Sequence, residues 1–290
     1  MITEETKKRI LITMKDRRKI NFPSDAKMAV YLGISSAQFS RIMRGELERV
    51  ISDANWISIA RKLEVTLNER ADLITAETPV FNSIMEQLAA CQNFSLSGLL
   101  CDITDIGKTH AAKYYCRHNK YAIYVDCSQV KTRQKLIRYM AKELGLGHTG
   151  RYNEVYADLV FYLQSIPSPI FILDEAGDLD YSAFLELKAL WNATERCCAW
   201  YMMGAEALKA KIESNMGRKK VGYAEIFRRF GSRYQKISPD GKEAMDEFKK
   251  QQVALIAKAN GINDVQKLYT KTQGSLTRIY FEIQKLKSAA

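Results

Sequence analysis

The sequence offers neither a metal-binding nor a disulfide framework. Its six cysteines (Cys91, Cys101, Cys116, Cys127, Cys197, Cys198) include no C-x-x-C pair, so neither a zinc site nor a disulfide scaffold is indicated. Its three histidines, His110, His118 and His148, fall at no metal-ligand spacing. No apolar run approaches the roughly 18 residues that a membrane span needs, and no membrane partner is expected. Met1–Arg9 lacks the apolar core of a signal peptide, and the expected setting is a reducing cytoplasm. What is present is ordinary in amount: 290 residues, 47% hydrophobic and 27% charged. That is enough for two domains and a sizeable core.

The net charge of +11 is unevenly spread. Residues 76–208 carry 12 basic and 15 acidic side chains, whereas 209–235 carry eight and two. A mildly acidic centre with basic flanks points to a polyanionic partner held outside the central cleft. Arg218, Lys219 and Lys220, beside a flexible loop expected around Asn215–Gly217, are the candidate phosphate contacts.

The chain is organised around Ser95–His110. A short apolar run ends at Cys101, a compact loop follows, and Gly107-Lys108-Thr109 opens a segment with helical spacing. Strand, loop and helix in that order cradle phosphate with backbone N–H groups and a helix N-terminus. Lys108 reaches the β/γ-phosphates and Thr109 ligates Mg²⁺. The nucleotide-contacting run is Asp105, Ile106, Gly107, Lys108, Thr109 and His110. Asp102 and Asp105 stand where this loop usually has glycine, so both carboxylates must turn away from phosphate for it to work. Asp tolerates left-handed backbone better than most residues, which keeps the loop feasible.

A second apolar run, Pro169–Glu175, ends in two acids. Asp174 is placed to hold Mg²⁺ and Glu175 to polarise the attacking water, the paired halves of a phosphate-loop ATPase. ATP and Mg²⁺ are the expected cofactors. The tyrosines at 114, 115, 121 and 124 read as packing residues, not as a base-stacking platform.

Residues 3–18 read as a helix with Ile10, Leu11 and Met14 on one face. Ser24 or Asp25 then caps a short helix ending at Leu32, Gly33-Ile34-Ser35 makes a turn, and Ser36–Met43 makes a second helix. Ala29, Leu32, Ile34, Phe39 and Ile42 face inward. Ser36, Gln38, Ser40, Arg41 and Arg44 face outward, the residue types that base-edge and phosphate contacts require. This stretch resembles the Cro/C1-type helix-turn-helix family over about residues 20–66, with Trp56, Ile59, Ala60 and Leu63 on the packing helix. The resemblance implies DNA contacts from Ser36, Gln38, Arg41 and Arg44. Pattern is lost between 66 and 80.

Further strands are expected at 121–127, 197–204 and, briefly, 233–237. Helices fall between them at 109–118, 131–144, 152–164 and 181–192. Such alternation implies a parallel sheet with helices on both faces. Residues 241–259, 265–270 and 276–286 read as a helical lid. From about residue 80 onward the arrangement resembles an AAA+ ATPase, and within that superfamily it is similar to the transposition target-selection ATPases typified by the phage Mu B protein. The resemblance implies three parts: a small all-α helix-turn-helix domain over 1–75, an α/β phosphate-loop AAA+ core over 76–237, and a lid over 238–290. It implies an arginine finger among Arg228, Arg229 and Arg233, and a nucleotide-sensing Arg278 in Gly274–Arg278. Glu206 is the nearest substitute for the polar sensor after the fourth strand.

The expected function is that of a slow ATPase, stimulated by DNA or a partner. It would assemble as a ring or helical filament on double-stranded DNA and select or deliver target DNA to a DDE-type transposase. Two alternatives remain: a site-specific DNA-binding regulator with a degenerate ATPase module, and a helicase-loader or replication-initiation ATPase.

Overall fold

The structure, a computed structural model, describes residues 2–65, 67 and 73–288. Four helices come first: α1 (Glu4–Asn21), α2 (Asp25–Leu32), α3 (Ser36–Met43) and α4 (Asp53–Lys62). Each begins on a Ser or Thr whose hydroxyl accepts an orphan N–H of the first turn: Thr3 from Thr6, Ser24 from Lys27, Ser35 from Gln38 and Ser52 from Asn55. Ser24, not Asp25, is thus the cap of α2. Gly33, at φ 76°, turns the chain between α2 and α3 through a conformation that costs other residues more. Ile10, Met14, Phe39, Ile42, Trp56 and Ile59 form a core of their own.

Part of the linker expected over 66–80 lies outside the described residues. From Leu73 the chain leads into α5 (Pro79–Phe94), then alternates: β1 (Ser97–Cys101), α6 (Lys108–His118), β2 (Ala122–Asp126), α7 (Arg133–Glu143), α8 (Tyr152–Ser165) and β3 (Ile170–Asp174). A 3₁₀ turn at Ala176–Asp178 precedes α9 (Tyr181–Ala193), β4 (Ala199–Gly204), α10 (Glu206–Gly217) and α11 (Tyr223–Arg229). The four strands are parallel in the order β1-β4-β3-β2. Period-two alternation splits their side chains between two faces. Leu99, Val125, Phe171, Leu173, Trp200 and Met202 pack under α7–α11. Leu100, Ile170, Ile172, Tyr201 and Met203 pack under α5 and α6. Burial on both faces is why these strands read as unbroken apolar runs.

The fifth strand expected at 233–237 is reduced to a single bridge. Gln235 accepts from Cys101 N–H at 3.0 Å and donates to Leu99 C=O at 2.8 Å. The chain then leaves the sheet edge, because the Asp102 carboxylate takes the N–H groups of Ile237 (2.7 Å) and Ser238 (2.9 Å). The loop expected around Asn215–Gly217 is instead the last turn of α10.

α12 (Lys242–Ala259), α13 (Val265–Thr272) and α14 (Leu276–Ser288) form the C-terminal helical unit, expected as a lid, around Val253, Ala257, Leu268, Ile279 and Ile283. The Asn260 side chain brackets Ile74, accepting its N–H at 3.0 Å and donating to its C=O at 3.1 Å. The N-terminal helices lean on α6. Asn21 Nδ2 donates to Cys116 C=O at 2.7 Å, and Glu64 faces Lys113 (3.5 Å), Arg17 (3.9 Å) and Arg117. Burial pushes the Glu64 carboxyl up, but the Arg117, Lys113 and Arg17 charges outweigh it and hold it below the usual range.

Candidate functional site

The loop between β1 and α6 lies at the C-terminal edge of the parallel sheet, where such folds place their ligands. It closes on Gly107, the residue before α6, whose φ of 100° favours glycine. Lys108 is buried and donates from Nζ to the carbonyls of Asp102 (2.9 Å) and Ile103. Burial lowers its affinity for the proton, opposed by the charges of Asp102, Asp174 and Glu175. An ammonium held on two neutral carbonyls, with no carboxylate bonded to it, remains available to a phosphate oxygen.

The two non-glycine loop positions are both accounted for. Asp102 is fully buried, and its carboxylate accepts from Ile103 N–H (2.8 Å), Ile237 N–H, Ser238 N–H and the Ser238 hydroxyl. It latches the loop to the segment that bridges β1. Asp105 takes left-handed backbone at φ 61°, and its carboxylate binds Ser275 and Thr277 at the start of α14. Both carboxylates are taken up by these donors and neither is bonded to Lys108, although Asp105 still lines the cavity over the loop.

Asp174 ends β3, almost fully buried. Its Oδ2 accepts from the Thr109 hydroxyl at 2.6 Å and from the Tyr124 hydroxyl at 2.8 Å, while Oδ1 accepts Glu175 N–H at 3.0 Å. The Thr109 hydroxyl and the Asp174 carboxylate therefore sit side by side. A hard-oxygen pair next to a phosphate cradle suits Mg²⁺, which keeps several waters and takes one or two protein oxygens. Glu175 follows in left-handed backbone at φ 50°. Burial and the Asp174 charge raise its pKa, and Lys108 opposes them. A carboxylate shifted up is a better proton acceptor for water.

A cavity of about 700 Å³ opens over this edge. Lys108, Thr109 and Glu175 form its floor, while Thr75, Leu276 and Tyr280 lie across it from the linker and lid. His110 lines it too, with Nε2 3.0 Å from the Thr75 hydroxyl. Burial lowers the His110 pKa, favouring a neutral ring. Among the described residues no cluster of His, Cys, Asp or Glu is arranged to hold a metal on its own.

The remaining expected residues lie elsewhere. Arg278 is exposed on α14 and does not line the cavity. Glu206 opens α10, exposed and outside it. Arg229 stacks on Trp191 at 4.9 Å, which leaves Arg228 and Arg233 as the two exposed members of the arginine cluster. On α3, Ser36, Arg41 and Arg44 are exposed. Gln38 closes a capping box with Ser35, and Arg41 and Arg44 share the Glu46 carboxylate. In the basic stretch, Lys211 donates to Gly177 and Leu179 carbonyls at 2.6 Å, and Lys220 lies over the Tyr181 ring at 4.0 Å. Arg218 and Lys219 stay exposed in the turn after α10.

Tyr124 belongs to the site, although its sequence context marks it only as a packing residue. The pairing of β2 with β3 is what puts it beside Asp174. Burial and the Asp174 charge raise its pKa strongly, so the phenol stays protonated and remains a donor.

Comparison with known proteins agrees with this geometry. A family model described as an AAA domain matches residues 95–212, the span from β1 through most of α10. No curated protein matches the chain. Residues 95–212 thus match an AAA-type phosphate-loop domain, and among the described residues no helix is long and apolar enough to cross a membrane.

Proposed function

We propose that this chain is an ATP-hydrolysing, DNA-binding AAA+ protein that assembles on duplex DNA and delivers it as target to a DDE-type transposase. The observation that carries the ATPase part is the convergence of Lys108, Thr109 and Glu175 on one cavity, with Asp174 bonded to Thr109 beside it and both loop aspartates engaged by other donors. In this reading the loop N–H groups and Lys108 bind the β- and γ-phosphates. Thr109 and Asp174 hold Mg²⁺, which when bound neutralises charge developing on the transferred phosphoryl group. Glu175 orients and deprotonates the attacking water. Arg228 or Arg233, both exposed, would reach the γ-phosphate held by a neighbouring subunit.

The DNA part rests on the exposed polar face of α3 and on Arg218 and Lys219. Arg44 and Arg41 exceed the single Glu46 charge they share, leaving net positive charge for phosphate. Gln38 is the weaker probe, because changing it also removes its half of the α3 capping box. The rival reading, a sequence-specific regulator with a degenerate ATPase module, draws on the two loop aspartates. Their placement away from the phosphate cradle favours a working loop instead.

Electron microscopy on random-sequence duplex, with and without ATP, separates the two. ATP-dependent rings or filaments are expected; a nucleotide-independent footprint at one operator would favour the regulator. Glu175→Gln should retain ATP while turnover falls by about 100-fold or more, so that DNA-bound assemblies persist. Hydrolysis at the normal rate in that variant would remove Glu175 from the mechanism.

A further inference from the structure

Asp105 occupies the loop position most in need of explanation. Its φ of 61° is left-handed, a conformation that glycine adopts more cheaply, and it places a negative charge within two residues of Gly107. Its carboxylate is nevertheless fully engaged. Oδ2 accepts from the Ser275 hydroxyl at 2.6 Å, and Oδ1 accepts from the Thr277 hydroxyl at 2.8 Å and from Thr277 N–H at 3.1 Å. Those donors belong to the first turn of α14, where backbone N–H groups have no intrahelical partner and the helix dipole favours an anion. Ser275 already serves that turn from within, accepting Ile279 N–H on its carbonyl and Arg278 N–H on its hydroxyl. Asp105 completes the cap from 170 residues away.

The turn it grips is rigidly tied to the rest of the lid. A side chain on Gly274 would run into Lys249 of α12 at 2.8 Å, and a Cβ on Gly107 would stand 3.3 Å from Leu276 of α14. Loop and lid therefore bond at Asp105 and lie close again at Gly107–Leu276, where a side chain on the glycine would meet the leucine. Ile279 and Ile283 then carry the position of α14 into the lid core.

We propose that Asp105 is a positioning residue: a carboxylate clasp that seats the lid on the phosphate loop and so sets how tightly a nucleoside triphosphate is enclosed. The role rests on the nucleotide-binding reading above, whereas the clasp is a property of the protein alone. It also reassigns Asp105 from phosphate contact to lid contact, with its backbone still part of the loop.

The experiment has two arms. In the first, a fluorescent ATP analogue with Mg²⁺ is titrated into wild-type protein, D105A, D105N and the lid-side variant T277V. D105A should bind about fivefold more weakly, the loss expected of solvent-competed hydrogen bonds to a carboxylate. D105N should lose less, because its amide oxygen still accepts from Thr277. T277V, which removes one hydroxyl donor to Asp105 and leaves the Ser275 cap on Arg278 intact, should lose part of what D105A loses, and adding it to D105A should weaken binding no further. If D105A binds as well as wild type the carboxylate does not set enclosure, and if it binds better the carboxylate was repelling phosphate; either result, or additive losses, overturns the proposal.

The second arm follows hydrogen exchange of residues 277–280 without nucleotide. Faster exchange in both D105A and T277V is expected, larger in D105A. Unchanged exchange refutes the clasp even if the loop binds ATP. Wild-type protein that binds no ATP refutes the nucleotide reading and the role with it, while exchange still judges the clasp.

Discussion

The phosphate loop and the basic stretch 209–235 make an instructive pair. The loop carries two aspartates against its usual pattern, yet its parts meet as that pattern requires. The basic stretch has one of the plainest charge signals in the chain, yet several of its cations already lie on carbonyls or rings of the protein, two of them, Lys209 and Lys220, while still exposed. Lys211 is bonded to two carbonyls, Lys220 lies on Tyr181, Arg229 lies on Trp191, and Lys209 lies 5.5 Å from the Tyr234 ring centre. A loop following a buried strand is fixed by the sheet, so an odd residue is absorbed by finding new partners. A charge run has no such frame: some of its long side chains settle on a nearby carbonyl or ring and the others stay in solvent.

Four measurements would sharpen or break that contrast. The largest effect is expected from Lys108→Ala, which removes a buried cation from the phosphate cradle. It should cost about 3 kcal/mol of ATP binding, roughly 100-fold by calorimetry. Unchanged affinity would mean that nucleotide binds elsewhere.

Next comes Asp102→Gly, which restores the usual loop residue. If Asp102 were merely tolerated, ATP binding would tighten without loss of stability. Because four donors lose their acceptor, the variant should instead lose about 2 kcal/mol in denaturant unfolding.

Tyr124→Phe should have a smaller effect. It removes one of the two donors to Asp174 Oδ2, worth about 1 kcal/mol. The expected result is a roughly fivefold higher Mg²⁺ requirement for turnover with ATP affinity in EDTA unchanged; equal loss in both would make the residue purely structural. The smallest effect separates cations within the basic stretch. Arg218→Ala/Lys219→Ala should flatten the slope of log affinity for DNA against log salt by up to about 0.9 for each phosphate left without its cation. Lys220→Ala should flatten it less, and the reverse ranking would show that the stacked lysine is the one that meets DNA.

Much of the framework is legible in the sequence because burial dictates it. All four strands are runs that a two-sided parallel sheet must make apolar, and each N-terminal helix opens on a hydroxyl that can cap it. What stays hidden depends on partners distant in sequence. The Asp102 latch spans 135 residues or more and the Asp105 clasp 170 or more, and no local pattern marks either. Tyr124 meets Asp174 only through strand order. α10 escapes sequence reading for a local reason: it buries only Leu208 and Ile212, too narrow an apolar stripe to stand out among its charges. The strand expected at 233–237 fails on the Asp102 latch, which draws the chain off the sheet edge after one bridge.

One helix belongs to two parts of the molecule at once. The first turn of α6 supplies Lys108 and Thr109, while its last turns take Asn21 on the Cys116 carbonyl and Glu64 on Lys113 and Arg117. A fragment begun at residue 76 would keep the nucleotide cavity's floor but strip the far end of that helix of its cap and its counter-charge. A fragment ended at 75 would leave Glu64 with only Arg17 of these three cations. Separate expression of the halves would thus report on two altered proteins, and the smallest piece that retains α6 with partners at both ends is one that crosses the boundary.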